Sequence, residues 1–78
     1  MRVIRVSEGH YINIDTIWLI DFDTPPYIKI VVNGIRIYEL EYMKENYDKF
    51  CKKLVEKIVD DEVKIVDLND IEKEVNLL

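Results

Sequence analysis

The dipeptide Asn33-Gly34 lies between two runs in which apolar residues alternate with other side chains, 27–32 and 35–40. Asn and Gly both tolerate the positive φ angles that the two central positions of a type I′ loop require. The sequence therefore predicts a β-hairpin here. Because side chains alternate between the two faces of a strand, the length of the loop also predicts which of them share a face.

A two-residue loop would place Val32 opposite Ile35 and Ile30 opposite Ile37. One face of the hairpin would then be apolar apart from Glu39, and we expect it to enter the core: Ile28, Ile30, Val32, Ile35 and Ile37. The other face would mix aromatic, basic and apolar side chains, and it is the candidate contact surface: Tyr27, Lys29, Val31, Arg36, Tyr38 and Leu40.

The size and composition of the chain indicate one small domain over residues 1–78. With 78 residues, of which 49% are hydrophobic and 35% charged, the chain can bury a core. It has one cysteine, Cys51, and therefore no pair for an internal disulfide bond. Its apolar runs are too short to span a bilayer, and no signal peptide is expected. We therefore expect a cytoplasmic protein that does not enter a membrane.

The net charge of −5 is concentrated at one end of the chain. Residues 60–78 contain seven acidic residues and two lysines, which accounts for the whole imbalance. An acidic total opposes binding to a phosphate backbone. Nucleic acid is therefore a disfavoured partner, although the preceding residues are close to neutral.

The remaining patterns predict strands over 2–7, 10–14, 17–23 and 62–67. Apolar residues at helical spacing predict a helix that ends near Val59, and they form one stripe: Met43, Tyr47, Phe50, Leu54 and Ile58. Asn69 and Glu72 resemble a capping box and predict a short second helix. Together these elements predict an α+β fold. It consists of an antiparallel meander of four to five strands with one helix packed on one face (residues 1–59), followed by an acidic strand-helix appendage (residues 60–78).

Few residues in the chain could perform catalysis. His10 is the only histidine, and no acid or nucleophile accompanies it at a recognisable spacing. The chain also lacks a phosphate-binding glycine loop and the usual metal-binding motifs. We therefore expect a protein that is not an enzyme and that has no cofactor and no metal site.

The order of turns and elements between residues 5 and 59 resembles the small FlbD-type proteins encoded among flagellar genes. The matching pieces are the stretch from Asn13 to Ile17, the pair Thr24-Pro25, the Asn33-Gly34 hairpin and the helix that begins at Met43. The family is associated with motility regulation. The resemblance implies a similar fold and a role without catalysis, and it assigns no functional residues.

Two hypotheses about function follow. The first is a small regulatory or adaptor protein that contacts another protein or associates with itself as a dimer. The second is a nucleic-acid-binding module in which Tyr27 and Tyr38 stack on bases while Lys29 and Arg36 contact phosphates. Which of them holds depends on whether the mixed hairpin face is open or is covered by the C-terminal segment or a second subunit.

Overall fold

The computed structural model describes residues 1–41 and 46–76 of the chain. A short 3₁₀ helix, Ile14–Thr16, joins the second and third strands. The described ranges contain six strands and two helices: β1 Val3–Ser7, β2 His10–Asn13, β3 Ile17–Asp21, β4 Tyr27–Val32, β5 Arg36–Glu41, α1 Tyr47–Val59, β6 Ile65–Asp67 and α2 Leu68–Asn76. The prediction of a mixed α+β fold is confirmed.

The strands form two three-stranded sheets in place of the single meander that the sequence predicts. The first sheet has the order β2-β1-β6, and the second has the order β3-β4-β5. β6 pairs with β1 in parallel, so that Ile4 lies opposite Val66. A parallel pair requires a long crossover connection, and here the second sheet and α1 supply it. Turn signals along the chain report local neighbours only, and this long-range pairing leaves no local signature.

The C-terminal segment is part of the core, whereas the sequence predicts an appendage there. Val66 on β6 and Ile71 on α2 are both almost completely buried, and Leu68 and Val75 lie beside them. The spacing of Leu68, Ile71 and Val75 places them on one face of α2, which packs on β1 and α1. Four of its seven acidic residues are exposed, whereas Glu74 on α2 forms ion pairs with Lys53 and Lys57 of α1.

The N-terminus of α2 differs from the predicted capping box. The cap is Asp67, whose Oδ1 accepts a hydrogen bond of 2.9 Å from the backbone N–H of Asn69. Asn69 therefore lies inside the first turn, and the helix begins one residue after the end of β6.

The predicted apolar stripe of α1 is confirmed over the described residues. Tyr47, Phe50 and Leu54 are buried, Cys51 is buried next to them, and the helix ends at Val59 as predicted. Met43, the first residue of the predicted stripe, lies outside the described residues. The two sheets and both helices share one core cluster: Ile4, Ile12, Ile28, Ile30, Tyr47, Phe50, Cys51, Leu54, Val66, Leu68, Ile71 and Val75.

Arg2 fastens the N-terminus of the chain to the C-terminal end of α1. Its Nη2 atom donates to the carbonyl oxygens of Lys57 (3.1 Å), Ile58 (2.8 Å) and Asp60 (2.8 Å). Its Nε atom donates to the carbonyl oxygen of Val63 at 2.8 Å. The last carbonyls of a helix have no partner within the helix and carry partial negative charge, so a guanidinium stabilises them. Arg2 is therefore a structural residue.

Candidate functional site

The Asn33-Gly34 turn has the predicted backbone conformation but not the predicted length. Asn33 and Gly34 have φ angles of 53° and 69°, and the N–H of Ile35 donates to the carbonyl oxygen of Val32 at 3.2 Å. Strand pairing, however, begins with Val32 opposite Arg36. The loop therefore contains three residues, and the register differs from the predicted one by a single residue.

This shift changes which side chains share a face. Ile30 lies opposite Tyr38 and Ile28 opposite Leu40, so the inner face of β5 carries Tyr38 and Leu40. The predicted core residues Ile35 and Ile37 are exposed instead. The prediction that the six candidate contact residues share a face is wrong. Tyr27, Lys29 and Val31 lie on the outer face, whereas Arg36, Tyr38 and Leu40 belong to the inner face.

The position of Glu39 explains why the chain adopts this register. The predicted register would direct Glu39 into the core, and burying an unpaired carboxylate costs far more than exposing an isoleucine. In the observed register Glu39 and Glu41 are exposed, while Tyr38 and Leu40 pack against the core. The alternation of acidic residues with Tyr38 and Leu40 was therefore the signal that could have predicted the correct faces.

The turn is held by the preceding strand. The N–H of Asn33 donates to the carbonyl oxygen of Thr16 at 2.9 Å. The indole ring of Trp18 lies against Gly34 so closely that a Cβ atom at residue 34 would be 2.5 Å from the ring. Trp18 sits at an irregularity of β3, where Ile17 pairs with Val32 and Leu19 pairs with Val31. At this irregularity Trp18 is exposed, whereas Ile20 packs against the core.

The outer face of the second sheet carries an apolar row that crosses all three strands. Leu19, Val31 and Ile37 lie directly opposite one another on β3, β4 and β5. Trp18 and Ile35 extend this surface at the end of the sheet that carries the hairpin turn. The exposed fractions are large: Trp18 72%, Leu19 56%, Ile35 89% and Ile37 62%. We call these five residues the apolar row, and exposed groups of this kind mark contact surfaces.

The next row along the same face is charged. Asp21, Lys29 and Glu39 lie opposite one another, and Glu41 lies opposite Tyr27. Among the described residues, no ion pair within 4.0 Å joins Lys29 to these carboxylates. The outer face is thus apolar at the turn end and acidic at the other end.

A groove, called here the β5 groove, runs beside β5 as two adjoining cavities. One has a volume of about 330 Å³ and lies between the C-terminal end of β5 and α2, with Leu40, Leu68 and Glu72 among its lining residues. The other has a volume of about 360 Å³ and lies between Tyr38 and the turn that joins β1 to β2. Val6 lines both cavities.

The arginines that could join a basic surface have other contacts. Arg2 caps α1, and Arg5 forms an ion pair of 3.2 Å with Asp67. The guanidinium of Arg36 lies 5.6 Å from the centre of the Tyr38 ring on the inner face. The nucleic-acid hypothesis depended on Tyr27, Lys29, Arg36 and Tyr38 sharing a surface, and they do not share one.

His10 lies at the turn between β1 and β2, next to Ser7. Its Nδ1 atom lies 2.9 Å from Oγ of Ser7 and 3.1 Å from the carbonyl oxygen of Glu8. The ring tautomer decides the roles: an unprotonated Nδ1 accepts from the Ser7 hydroxyl, and a protonated Nδ1 donates to the Glu8 carbonyl. Among the described residues, no carboxylate is hydrogen-bonded to the ring to orient it as a base.

Cys51 and Tyr47 are adjacent buried groups on α1. Burial raises the pKa of the Cys51 thiol, which reduces its thiolate fraction and its reactivity at neutral pH. Burial is also the main cause that raises the pKa of Tyr47 to about 12. The Tyr47 hydroxyl donates to the carbonyl oxygen of Tyr27 at 2.7 Å and thereby connects α1 to the start of β4. Both residues have structural roles.

Within residues 1–41 and 46–76, no group of three or more His, Cys, Asp or Glu side chains is arranged to hold a metal ion. In the same ranges no helix is long and apolar enough to cross a membrane. No family model, curated protein or solved structure matches the chain. The resemblance to FlbD-type proteins therefore stays a prediction.

Proposed function

We propose that this protein is a small regulatory or adaptor protein without catalytic activity that works through contacts with other protein chains, either a partner or a second copy. The apolar row on the outer face of the second sheet carries the proposal. Four of its five side chains are more than half exposed, although the same sheet buries Ile28 and Ile30 completely on its other face. Large exposed apolar groups that cross a whole sheet are typical of interaction surfaces.

Two further observations support a role without catalysis in a reducing compartment such as the cytoplasm. The Ser7-His10 pair is exposed at a turn, and among the described residues no carboxylate is hydrogen-bonded to the His10 ring to orient it as a base. Cys51 is a free thiol buried in the core, which suits a compartment where thiols stay reduced.

Site-specific photocross-linking tests the proposal. A photoreactive amino acid replaces Ile37 in the apolar row, and the same amino acid replaces Val59, an exposed apolar residue on α1, as the matched control. We expect a discrete covalent adduct from position 37, with this chain or with another protein, that is weakened by Leu19→Asn. The absence of an adduct at position 37, or the same adducts from both positions, would contradict the proposal.

A further inference from the structure

Within residues 1–41 and 46–76, no strand pairs with the outer edge of β5. β5 is the last strand of the second sheet, and every second residue of such a strand directs its N–H and carbonyl groups away from the sheet. Among residues 1–41 and 46–76, no backbone hydrogen bond joins this edge to another element. An edge of this kind accepts an extended peptide as an additional strand.

The β5 groove provides contacts for the side chains of such a strand. Leu40, Leu68 and Val6 line the cavity between β5 and α2, and Tyr38 lines the adjoining cavity. A strand paired with β5 would direct alternate side chains toward these apolar groups, because Tyr38 and Leu40 lie on the inner face. Its other side chains would continue the outer face beside Ile37, Glu39 and Glu41.

The carboxylates that line the groove lie at the C-terminal end of β5, whereas Arg36 stacks on Tyr38 toward the other end. Glu39, Glu41 and Glu72 line the cavity at the C-terminal end of β5, and among the described residues no Lys or Arg lines either cavity. Glu39 and Glu41 are exposed, and neither belongs to an ion pair within the described residues. An occupant with basic side chains opposite them would gain favourable cross-strand pairs.

We infer that the β5 groove binds an extended basic segment of another protein, which adds to β5 as an antiparallel strand. In this arrangement Lys or Arg lies opposite Glu39 and Glu41, apolar side chains lie opposite Tyr38 and Leu40, and a further apolar side chain lies opposite Ile37. The inference rests on the proposed function, because it specifies the partner of a protein that works through contacts with other chains.

Charge disfavours a second copy of this chain as the occupant. Pairing β5 with β5 of another copy would place Glu39 and Glu41 of both copies on neighbouring strands. Like charges on neighbouring strands are destabilising. The basic strand of this chain, β1, is already paired on both sides, and Arg2 and Arg5 are engaged. Among residues 1–41 and 46–76, a second copy therefore offers no unpaired basic strand.

Titration of the full chain with a synthetic peptide tests the inference. The probe is a blocked peptide that contains Lys-Val-Lys-Val-Ile, and the control peptide carries Glu in place of both lysines. Amide signals are followed by two-dimensional NMR up to about 1 mM peptide. We expect the basic peptide to shift signals of β5, Val6 and the first turn of α2. We also expect binding to weaken several-fold between about 50 and about 500 mM salt.

Charge-reversal variants sharpen the test. Glu39→Lys with Glu41→Lys is expected to weaken binding at least ~10-fold. Asp61→Lys with Glu62→Lys makes the same change of charge at exposed residues before β6 and is expected to alter binding less than about twofold. A peptide with N-methylated backbone amides should not bind, because it lacks the donors for strand pairing.

Three results would overturn the inference: no shift at about 1 mM peptide, equal binding of the acidic peptide, or shifts limited to Trp18 and Leu19. Shifts of β5 signals that depend on protein concentration without peptide would identify a second copy as the occupant and would also overturn it. A discrete adduct from position 37 combined with a negative titration would refute this inference alone and leave the proposed function standing.

Discussion

The two sheets differ in the residues that form their outer faces. In the first sheet the inner row Ile12, Ile4 and Val66 is buried, and the row on the opposite face is Tyr11, Arg5 and Asp67. Arg5 forms an ion pair of 3.2 Å with Asp67 in that row, so these two charges are satisfied within the chain. In the second sheet the corresponding outer rows are Leu19, Val31 and Ile37, and Asp21, Lys29 and Glu39.

The two outer faces differ in charge pairing and in the extent of their apolar residues. The first sheet also exposes Tyr11 and Ile65, but the charges of Arg5 and Asp67 on that face are paired. The second sheet exposes a continuous apolar row beside carboxylates that have no ion-pair partner among the described residues. Each sheet has completely buried side chains on its inner face, Ile4 in the first and Ile28 and Ile30 in the second, so the asymmetry concerns the outer faces. The contact with another chain that we propose would account for it.

The largest expected effect comes from the buried row of the first sheet. Ile4→Ala removes a completely buried side chain and should lower the free energy of unfolding by about 3 kcal/mol. Leu19→Ala in the outer row of the second sheet should lower it by less than about 0.5 kcal/mol. Urea denaturation of both variants measures the two values. Similar losses of unfolding free energy from Ile4→Ala and Leu19→Ala would contradict the difference between the buried row of the first sheet and the exposed row of the second.

Loss of the Arg2 cap should have the next largest effect. Arg2→Met keeps the aliphatic stem but leaves the carbonyl oxygens at the end of α1 without a charged donor, at a cost of about 2 kcal/mol. Arg36→Met, which changes an exposed arginine of the second sheet, is the matched variant and should have little effect. Thermal unfolding compares them. Equal melting temperatures for the two variants would contradict the structural role of Arg2.

Tyr47 should make stability depend on alkaline pH. Its pKa is raised from 10.0 to about 12 in the folded protein, so the folded state resists losing this proton. The stabilisation is complete below pH 10 and is lost as the pH rises from about 10 to about 12. Tyr47→Phe should cost about 1 kcal/mol at pH 8 because the hydrogen bond to Tyr27 is lost.

The difference in unfolding free energy between the Tyr47→Phe variant and the parent chain isolates this group from the other tyrosines and lysines. The difference should shrink as the pH rises through that window, because only the parent chain loses the contribution of Tyr47. A difference that stays constant between pH 8 and the top of the window would contradict the raised pKa.

The smallest expected effect compares the polar rows of the two outer faces. Arg5→Met removes the ion pair with Asp67 and should lower stability slightly. Lys29→Met removes a charge that has no ion pair among the described residues, and stability should change by less than about 0.5 kcal/mol. Chemical denaturation at low and high salt distinguishes them, since only the Arg5 effect should decrease with salt.

Local patterns predicted most of the elements but not how they assemble. The stripe of α1, the end of α1 at Val59 and the positive φ angles of Asn33 and Gly34 all follow from nearby residues. The parallel pairing of β6 with β1 and the burial of Ile71 depend on contacts more than sixty residues apart. Such pairing leaves no periodicity to read in a single sequence.

The candidate site was predicted in part, and the error has one origin. The hairpin was located correctly, but Ile35 belongs to the loop. Every side chain of β5 therefore lies on the face opposite to the one predicted. Two factors favour the observed register: the free-energy cost of burying Glu39 and the packing of Trp18 against Gly34. The first could be predicted from the alternation of residues along β5. The second depends on an irregularity in β3 that no residue pattern predicts.

The register of β4 and β5 determines both the apolar row and the β5 groove, so a measurement of this register tests both surfaces most directly. Cross-strand nuclear Overhauser effects between backbone protons measure it. We predict that they join Ile30 to Tyr38 and Val32 to Arg36. Contacts that join Ile30 to Ile37 and Val31 to Arg36 would return Ile37 to the core and contradict both surfaces.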